Sequence, residues 1–224
     1  MKLAALVSGG KDSLAAVWKA VQSGHEIKYL VTVIARRPDS YMYHTVNIGM
    51  VLKQAEVMGI RLVSKLSSGE KEKEVKDLED ALSGLGVEGV VCGAIASEYQ
   101  RSRVASVCEK LGLKLLAPLW HTDTKRYLEE LIENKFEIII TSVAAEGLDI
   151  EWLGKKLGKE TLEKLLELKK KHAISLVGEG GEYDSVVLDC PLFKKRIEIR
   201  DAEKRWQGNS GEYIILDVKL VGKD

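Results

Sequence analysis

The first half of the chain alternates short runs of aliphatic and β-branched residues with amphipathic helical stretches. The runs that fit strands cover residues 3–7, 28–34, 61–66 and 87–92. This alternation predicts a parallel sheet, because each helix serves as the crossover between two strands. A fifth short strand at 114–116 completes a doubly wound, Rossmann-like α/β sheet.

The pattern changes after Trp120. The expected elements are helices over 123–134 and 160–171 and strands over 137–141, 185–189, 195–206 and 212–221, with a hairpin turn at 208–211. This mixture predicts a smaller α+β domain. We therefore divide the chain into two predicted domains, 1–120 and 121–224.

Charge and cysteine content restrict the classes of function. Lys and Arg together number 34, as do Asp and Glu, so we expect no direct nucleic-acid partner held by a broad basic surface. Three cysteines without a CxxC pair favour a reducing cytoplasm over a disulfide framework. No stretch approaches 18 apolar residues, which predicts a cytoplasmic chain without a membrane segment. The sequence leaves a homodimer open.

The most specific local signal lies between the first predicted strand and the first predicted helix. It is the hexapeptide Ser8-Gly9-Gly10-Lys11-Asp12-Ser13. Two glycines let the backbone turn tightly and bring its N–H groups close to a phosphate, and the helix adds its positive dipole end. Lys11 is suited to neutralise phosphate charge, the two serines to donate hydrogen bonds, and Asp12 to hold magnesium.

Spacing excludes two better-known phosphate loops. A Walker A motif requires glycine at the position of Ala5 and Ser or Thr at that of Asp12, and a GxGxxG motif is absent. The alternative is an ordinary glycine turn capped by Asp12 or Ser13. The concentration of serine, lysine and aspartate in six residues favours phosphate binding.

Further candidates follow the second and fourth strands, whose carboxyl ends lie at the ligand-binding edge of a doubly wound sheet. Tyr41 and Asn47 are candidate substrate contacts, and His44 is a candidate for ATP phosphate or substrate. The alternative for His44 is a helix-entry residue beside a cap. Gly93 would let the backbone approach the ribose or α-phosphate of a nucleotide, although a plain turn is equally natural there.

The helix predicted after the fourth strand carries polar residues in its first turns. Arg101 is a candidate contact for a leaving pyrophosphate or an adenylate, and Tyr99 for substrate. A solvated helix end is the alternative for Arg101, and more so for Arg103.

A second glycine-rich segment, 178–184, contains three acids before an apolar strand. Its carboxylates suit a cation, whether magnesium, ammonium or a trimethylammonium group, and Tyr183 offers an aromatic face to the last of these. Glu179, Glu182 and Tyr183 are candidate substrate contacts. Glu182 is also a candidate catalytic residue, although the residues do not decide which acid acts as general base. An acidic surface turn is the alternative.

The hexapeptide 8–13 resembles the SGGxDS loop of the PP-loop (N-type) ATP pyrophosphatases, which cleave ATP between its α and β phosphates. Further segments resemble the diphthine:ammonia ligase subfamily: 39–47, 93–104, 118–120 and 178–193. Asp184 and Ser185 stand where members often carry Glu and Thr.

This resemblance implies an ATP- and Mg²⁺-dependent ligase that amidates the diphthine carboxylate on translation elongation factor two. Ammonia is the nitrogen donor, an acyl adenylate is the intermediate, and AMP and pyrophosphate are released. Residues 1–120 would then bind nucleotide and 121–224 would face the substrate. Two rivals are another PP-loop adenylylating enzyme that modifies tRNA, and a protein that holds ATP or AMP without chemistry.

Overall fold

A computed structural model of the chain describes residues 1–35, 47–68 and 71–223. They form two compact units, Met1–His121 and Thr122–Asp224. The elements of unit 1 are β1 (Lys2–Leu6), α1 (Lys11–Gln22), β2 (Glu26–Ala35), α2 (Met50–Met58), β3 (Arg61–Ser67), α3 (Lys71–Leu82), β4 (Gly89–Val91), α4 (Glu98–Lys110) and β5 (Lys114–Leu116). Neighbouring strands pair in parallel in the order β3-β2-β1-β4-β5. The predicted doubly wound sheet is confirmed.

The sheet of unit 1 has its topological switch point between β1 and β4. From β1 the chain proceeds to β2 and β3 on one side, then returns to β4 and β5 on the other. At such a point the crossovers diverge and leave a crevice at the carboxyl ends of the strands. The segments after β1 and after β4 both start at this crevice.

The base of this crevice is rigid. Residues Leu3, Ala4 and Ala5 of β1 have no exposed surface. On α1, Leu14, Val17 and Trp18 recur at helical spacing and are at most 5% exposed. The strand and the helix that flank the hexapeptide are therefore both anchored in the core.

Unit 2 is built around an antiparallel sheet. Its elements are α5 (Thr124–Glu133), β6 (Glu137–Val143), a 3₁₀ turn (Ile150–Trp152), α6 (Lys159–His172), β7 (Tyr183–Asp189), β8 (Lys195–Gln207) and β9 (Ser210–Gly222). The strands lie in the order β7-β6-β9-β8. The expectation of an α+β unit is confirmed.

The hairpin of unit 2 is tighter than predicted. Only residues 208 and 209 separate β8 from β9, so the predicted turn at 208–211 is too long. Gly208 takes a φ of +59°, which lets the chain reverse within two residues. Gly211 belongs to β9, where the Trp206 ring covers the space that a side chain would fill.

Candidate functional site

The hexapeptide joins the carboxyl end of β1 to the first turn of α1. Gly9 has a φ of +85°, in the left-handed region that glycine adopts without a Cβ clash. Gly10 is the N-cap of α1, and no side chain among the described residues caps the helix there. The first N–H groups of α1 have no acceptor within the helix, and the helix dipole adds positive potential at this end. Both features favour an anion beside the loop.

Two serines fix the shape of this loop. The Ser13 hydroxyl donates to the Gly10 carbonyl at 3.1 Å and accepts the Ser8 backbone N–H at 3.3 Å. The Ser8 hydroxyl lies 3.5 Å from that of Ser13. Because the Ser13 proton is engaged within the loop, the structure gives Ser13 a shaping role, and its contact with phosphate stays a prediction.

Lys11 and Asp12 begin α1 side by side. Lys11 is only 2% exposed, and its Nζ lies 3.1 Å from Asp12 Oδ2. The Asp12 side chain is about one-third exposed. A buried ammonium group requires a nearby negative charge, which Asp12 supplies here. The pair places one cation and one accessible carboxylate at the head of the helix.

Gly93 follows β4 and lies directly against the first turn of α1. A Cβ on Gly93 would lie 2.6 Å from the Asp12 carbonyl carbon and 2.7 Å from the Ser13 nitrogen. The missing side chain therefore lets the segment after β4 approach the α1 backbone. This contact accounts for a glycine here, and the predicted approach to a nucleotide stays a prediction.

A cavity of about 170 Å³ opens beside these residues within unit 1. Its walls are the carboxyl ends of β1, β2 and β4 and the first turns of α1 and α4, including Val33, Cys92 and Gln100. Burial raises the pKa of the Cys92 thiol. Cys92 therefore lines the cavity as a protonated thiol and is not suited to act as a nucleophile. Apolar walls with a few polar groups at one side are typical of small-molecule sites.

Arg101 and Tyr99 project from the first turns of α4, each in contact with a partner. The Arg101 guanidinium lies 4.7 Å from the Trp120 ring centroid and 3.9 Å from the Glu98 carboxylate. The Arg103 guanidinium lies 3.7 Å from the Tyr99 ring centroid. Such cation–aromatic contacts restrain long arginine side chains. The predicted contacts of Arg101 with ATP and of Tyr99 with substrate stay predictions.

In the acidic loop of unit 2, residues 178–184, Glu182 is held by the backbone. Its Oε1 accepts the Ser175 N–H at 2.7 Å and its Oε2 accepts the Gly180 N–H at 2.8 Å. Its own carbonyl accepts the Ala144 N–H at 2.9 Å. The side chain and the backbone of Glu182 thus join three separate segments of unit 2. The structure thus gives Glu182 a loop-holding role, and its catalytic role stays a prediction.

Tyr183 is part of the core of unit 2. It is 2% exposed, and its hydroxyl donates to the Leu176 carbonyl at 2.6 Å. The ring is therefore part of the packing of unit 2, and its contact with substrate stays a prediction. Glu179 is exposed. Asp184 accepts the Ser142 hydroxyl at 2.7 Å across the pair of β6 and β7.

Two of the candidates after β2, Tyr41 and His44, lie outside the described residues. Asn47 is described and has a φ of +57°. Its carbonyl accepts the Met50 N–H at 2.8 Å, while the N-cap of α2 is Gly49. Asn47 thus belongs to the turn that enters α2, and its contact with substrate stays a prediction.

Family models match both units. The diphthamide synthase N-terminal domain matches residues 1–115, and the diphthamide synthase C-terminal domain matches residues 123–221. The chain belongs to the diphthamide synthase family.

Relatives named diphthine–ammonia ligase agree with this family assignment. The Rattus norvegicus relative is 41% identical over 91% of this chain and 84% of its own length. The Homo sapiens relative is 39% identical with the same coverage. The Schizosaccharomyces pombe relative is 38% identical over the whole of this chain, which spans 40% of that longer protein.

The described residues 1–35, 47–68 and 71–223 carry neither a metal cluster nor a membrane-spanning helix. No group of three or more His, Cys, Asp or Glu side chains in these ranges is arranged to hold a metal ion. No helix in them is long and apolar enough to cross a membrane.

Sequence reasoning missed two residues that support the site. Trp120 was noted only as part of a family segment, and the structure places its ring against Arg101. Gln54 lies on the amphipathic α2, and its side chain contacts the hexapeptide 8–13, which we name the phosphate loop. A signal was present, because Gln54 lies three residues after Val51 and four before Met58, on the apolar face of the helix.

Proposed function

We propose that this protein uses ATP to convert the diphthine carboxylate on translation elongation factor two into an amide, with ammonia as the nitrogen donor. The observation that carries the proposal is the Gly9-Gly10 loop with Lys11 and Asp12 at the head of α1, in a chain whose two units both match diphthamide synthase domains. The loop indicates where the phosphates of ATP bind, and the family indicates that the diphthine carboxylate is the group that is amidated.

ATP would lie with its β and γ phosphates against the hexapeptide 8–13. Lys11 supplies a positive charge there, and the first N–H groups of α1 point at the same place. The adenosine would occupy the adjacent cavity, with its base close to the backbone at Val33. Its apolar walls suit a flat aromatic base, and Ser8 and Asp12 lie on the phosphate side.

Asp12 is the residue that fits magnesium. Its carboxylate is accessible and lies beside the proposed phosphate position. Magnesium in nucleotide sites commonly takes one or two carboxylates together with phosphate oxygens and water. When bound, the ion neutralises charge on the phosphates and on the departing pyrophosphate.

The chemistry proceeds in two substitutions. A diphthine carboxylate oxygen attacks the α-phosphorus while the bond to the β-phosphate oxygen breaks, which gives an acyl adenylate and pyrophosphate. Ammonia then attacks the acyl carbon, the bond to AMP breaks, and the nitrogen loses a proton. Lys11 stabilises the negative charge that develops on pyrophosphate in the first step.

Free ammonia is the simplest nitrogen source for this chain. Its three cysteines are all buried, and burial raises the pKa of Cys108 to about 11 and that of Cys190 to about 12. Thiols of this kind do not supply the nucleophile that a glutaminase needs. The family assignment leaves the tRNA-modifying and the non-catalytic alternatives without support.

Mass spectrometry of elongation factor two tests the proposal. The diphthine-bearing factor is incubated with this protein, Mg-ATP and ammonium, and AMP and pyrophosphate are quantified in the same reaction. We expect conversion of the acid to the amide with one AMP and one pyrophosphate per amide. Omission of ammonium or of ATP is the control. An unchanged factor with intact ATP contradicts the proposal.

A further inference from the structure

A buried glutamine connects α2 to the phosphate loop. Gln54 has no exposed surface, and its Nε2 donates to the Gly9 carbonyl oxygen at 2.9 Å, across 45 residues of sequence. A buried amide is costly unless its hydrogen bonds are made. The contact is therefore a specific feature of the folded unit 1 and not a chance surface approach.

This hydrogen bond sets the orientation of one peptide group. The Gly9 carbonyl and the Gly10 N–H belong to the same peptide, and no cis peptide occurs among the described residues. In a trans peptide the C=O and N–H bonds point in opposite directions. A carbonyl fixed toward α2 therefore turns the Gly10 N–H away from α2.

Gly9 itself is fitted to this contact. Its φ of +85° favours glycine, and a Cβ there would lie 3.1 Å from the Gln54 Oε1 and 3.3 Å from a Val51 methyl group. A peptide that rotated the other way would present its carbonyl oxygen to the ligand side. An oxygen there would repel a phosphate, whereas an N–H donor attracts it.

We propose that Gln54 is a positioning residue that holds the Gly9–Gly10 peptide with its N–H toward the β and γ phosphates of ATP. The inference rests on the proposed ATP site in unit 1 but not on the acceptor that is amidated. Gln54 acts through the loop, since its amide is hydrogen-bonded to the Gly9 carbonyl and has no exposed surface.

Two variants test this role. Gln54→Met keeps the length of the side chain and removes the donor. Gln54→Glu keeps the shape and replaces the donor with an acceptor. ATP, inorganic pyrophosphate and AMP are titrated calorimetrically into each purified full-length variant. For Gln54→Met we expect at least a tenfold rise in the dissociation constants of ATP and pyrophosphate with AMP affinity within twofold of wild type. Gln54→Glu should lose more affinity for ATP and pyrophosphate than Gln54→Met, because the added negative charge also repels phosphate.

Val57→Ala is the matched control. Val57 is buried on the same helix, and the hydrogen bond to Gly9 does not involve it. We expect this variant to unfold at a lower temperature with unchanged ATP affinity. In steady-state assays, Gln54→Met should raise the KM for ATP by a larger factor than it lowers kcat.

Several results would overturn the inference. If Gln54→Met binds ATP as tightly as wild type, the inference is wrong. If Gln54→Met loses ATP and AMP affinity equally, the role of Gln54 is purely structural and the inference is also wrong. A wild-type protein that binds no ATP overturns this inference together with the ATP site. A wild-type protein that binds ATP but does not amidate the factor overturns the proposed function alone, because the readout here is affinity.

Discussion

The two glycine-rich loops of this chain resemble each other in composition and differ in the use of their polar groups. In the phosphate loop, residues 8–13, no side chain among the described residues caps the head of α1, and the Asp12 side chain is about one-third exposed. In the acidic loop, residues 178–184, Glu182 binds two backbone N–H groups of its own neighbourhood and Tyr183 binds a backbone carbonyl.

With the proposed ATP site, this difference separates a loop that binds a ligand from a loop that is held by its own hydrogen bonds. A loop that satisfies its donors and acceptors internally gains stability and has less to offer a ligand. The Ser13 hydroxyl donates to one backbone group of the phosphate loop and accepts from another. Lys11 and Asp12 lie side by side at the head of α1. Composition alone did not distinguish the two cases.

Replacement of Lys11 should have the largest effect. Lys11→Met keeps the aliphatic chain and removes the charge that stabilises departing pyrophosphate. We expect kcat for pyrophosphate release to fall by roughly 10²–10³-fold, the usual cost of one lost donor to transition-state charge. Pyrophosphate release is measured at saturating ATP, with melting temperature as a check on folding.

Lys19→Met is the control for this change. Lys19 lies in the last turn of the same helix, so its loss should leave turnover unchanged. If the turnover of Lys11→Met stays within threefold of wild type, the phosphate loop does not take part in catalysis. The functional distinction between the two loops would then be wrong.

Gly93→Ala tests whether the phosphate loop depends on the segment that packs against it. The added methyl group would lie 2.6 Å from the backbone of Asp12, which cannot move aside as a flexible side chain does. We expect a loss of about 1–3 kcal/mol in the free energy of unfolding, typical of overpacking, and weaker ATP binding. Both are measured by denaturant titration and calorimetry.

Gly49→Ala is the companion variant. Among residues 1–35, 47–68 and 71–223, a Cβ at Gly49 meets no atom within 4 Å beyond its chain neighbours, so we expect little change in stability or ATP affinity. If Gly93→Ala also behaves like wild type, the contact with α1 does not determine the geometry of the loop.

Much of the fold was predictable from local patterns. The alternation of apolar runs and amphipathic helices predicted the parallel sheet, and it placed the hexapeptide at the carboxyl end of β1. These features depend on neighbours in sequence, which a periodicity records. The family was predictable for a similar reason, because its motifs are short contiguous segments.

The roles of single side chains were harder to predict, because they depend on partners distant in the chain. Gln54 contacts Gly9 across 45 residues. Tyr183 was predicted as an aromatic face for a cationic group, and the structure shows that its hydroxyl reaches Leu176 and its ring is buried. Composition describes which groups a loop contains, whereas burial and hydrogen bonding decide which of them a ligand can reach.

Glu182→Gln separates the catalytic from the loop-holding role of this residue. The amide NH₂ would face a backbone N–H in place of a carboxylate oxygen, so one donor loses its acceptor. Because the amide can turn its NH₂ toward the exposed Gly180 N–H, which water can satisfy, we expect the free energy of unfolding to fall by about 0.5–1.5 kcal/mol, the net value of one hydrogen bond. If the role is structural, kcat at a temperature where the variant is fully folded stays within a few-fold of wild type.

Glu179→Gln provides the comparison, since Glu179 is exposed on the same loop. It should leave stability unchanged. A Glu182→Gln variant that folds as stably as wild type but loses amide formation would show that the acidic loop is catalytic, and the contrast drawn between the two loops would fail.

The pH dependence of stability probes Cys190, which follows β7, and reports whether the chain after the acidic loop is sealed from water. Burial raises the pKa of its thiol to about 12, against about 8.5 in an unfolded chain. The folded protein holds this proton more tightly, so the contribution to stability is complete below pH 8.5 and declines as the pH rises toward 12. For a wild-type chain this amounts to a loss of about 2 kcal/mol by pH 10.

Cys190→Ala should remove the part of the decline that Cys190 contributes and keep the part that Cys92 and Cys108 contribute. Denaturant titrations at several pH values between 8 and 10 measure the free energy of unfolding of the variant and wild type. Val187→Ala leaves a comparable gap on β7 and keeps the thiol, so it should be less stable at every pH with the wild-type dependence retained. Equal pH dependence in Cys190→Ala and wild type would mean that the folded thiol ionises as an exposed one does. The strand that follows the acidic loop would then be open to water, and this region could no longer be treated as self-supporting.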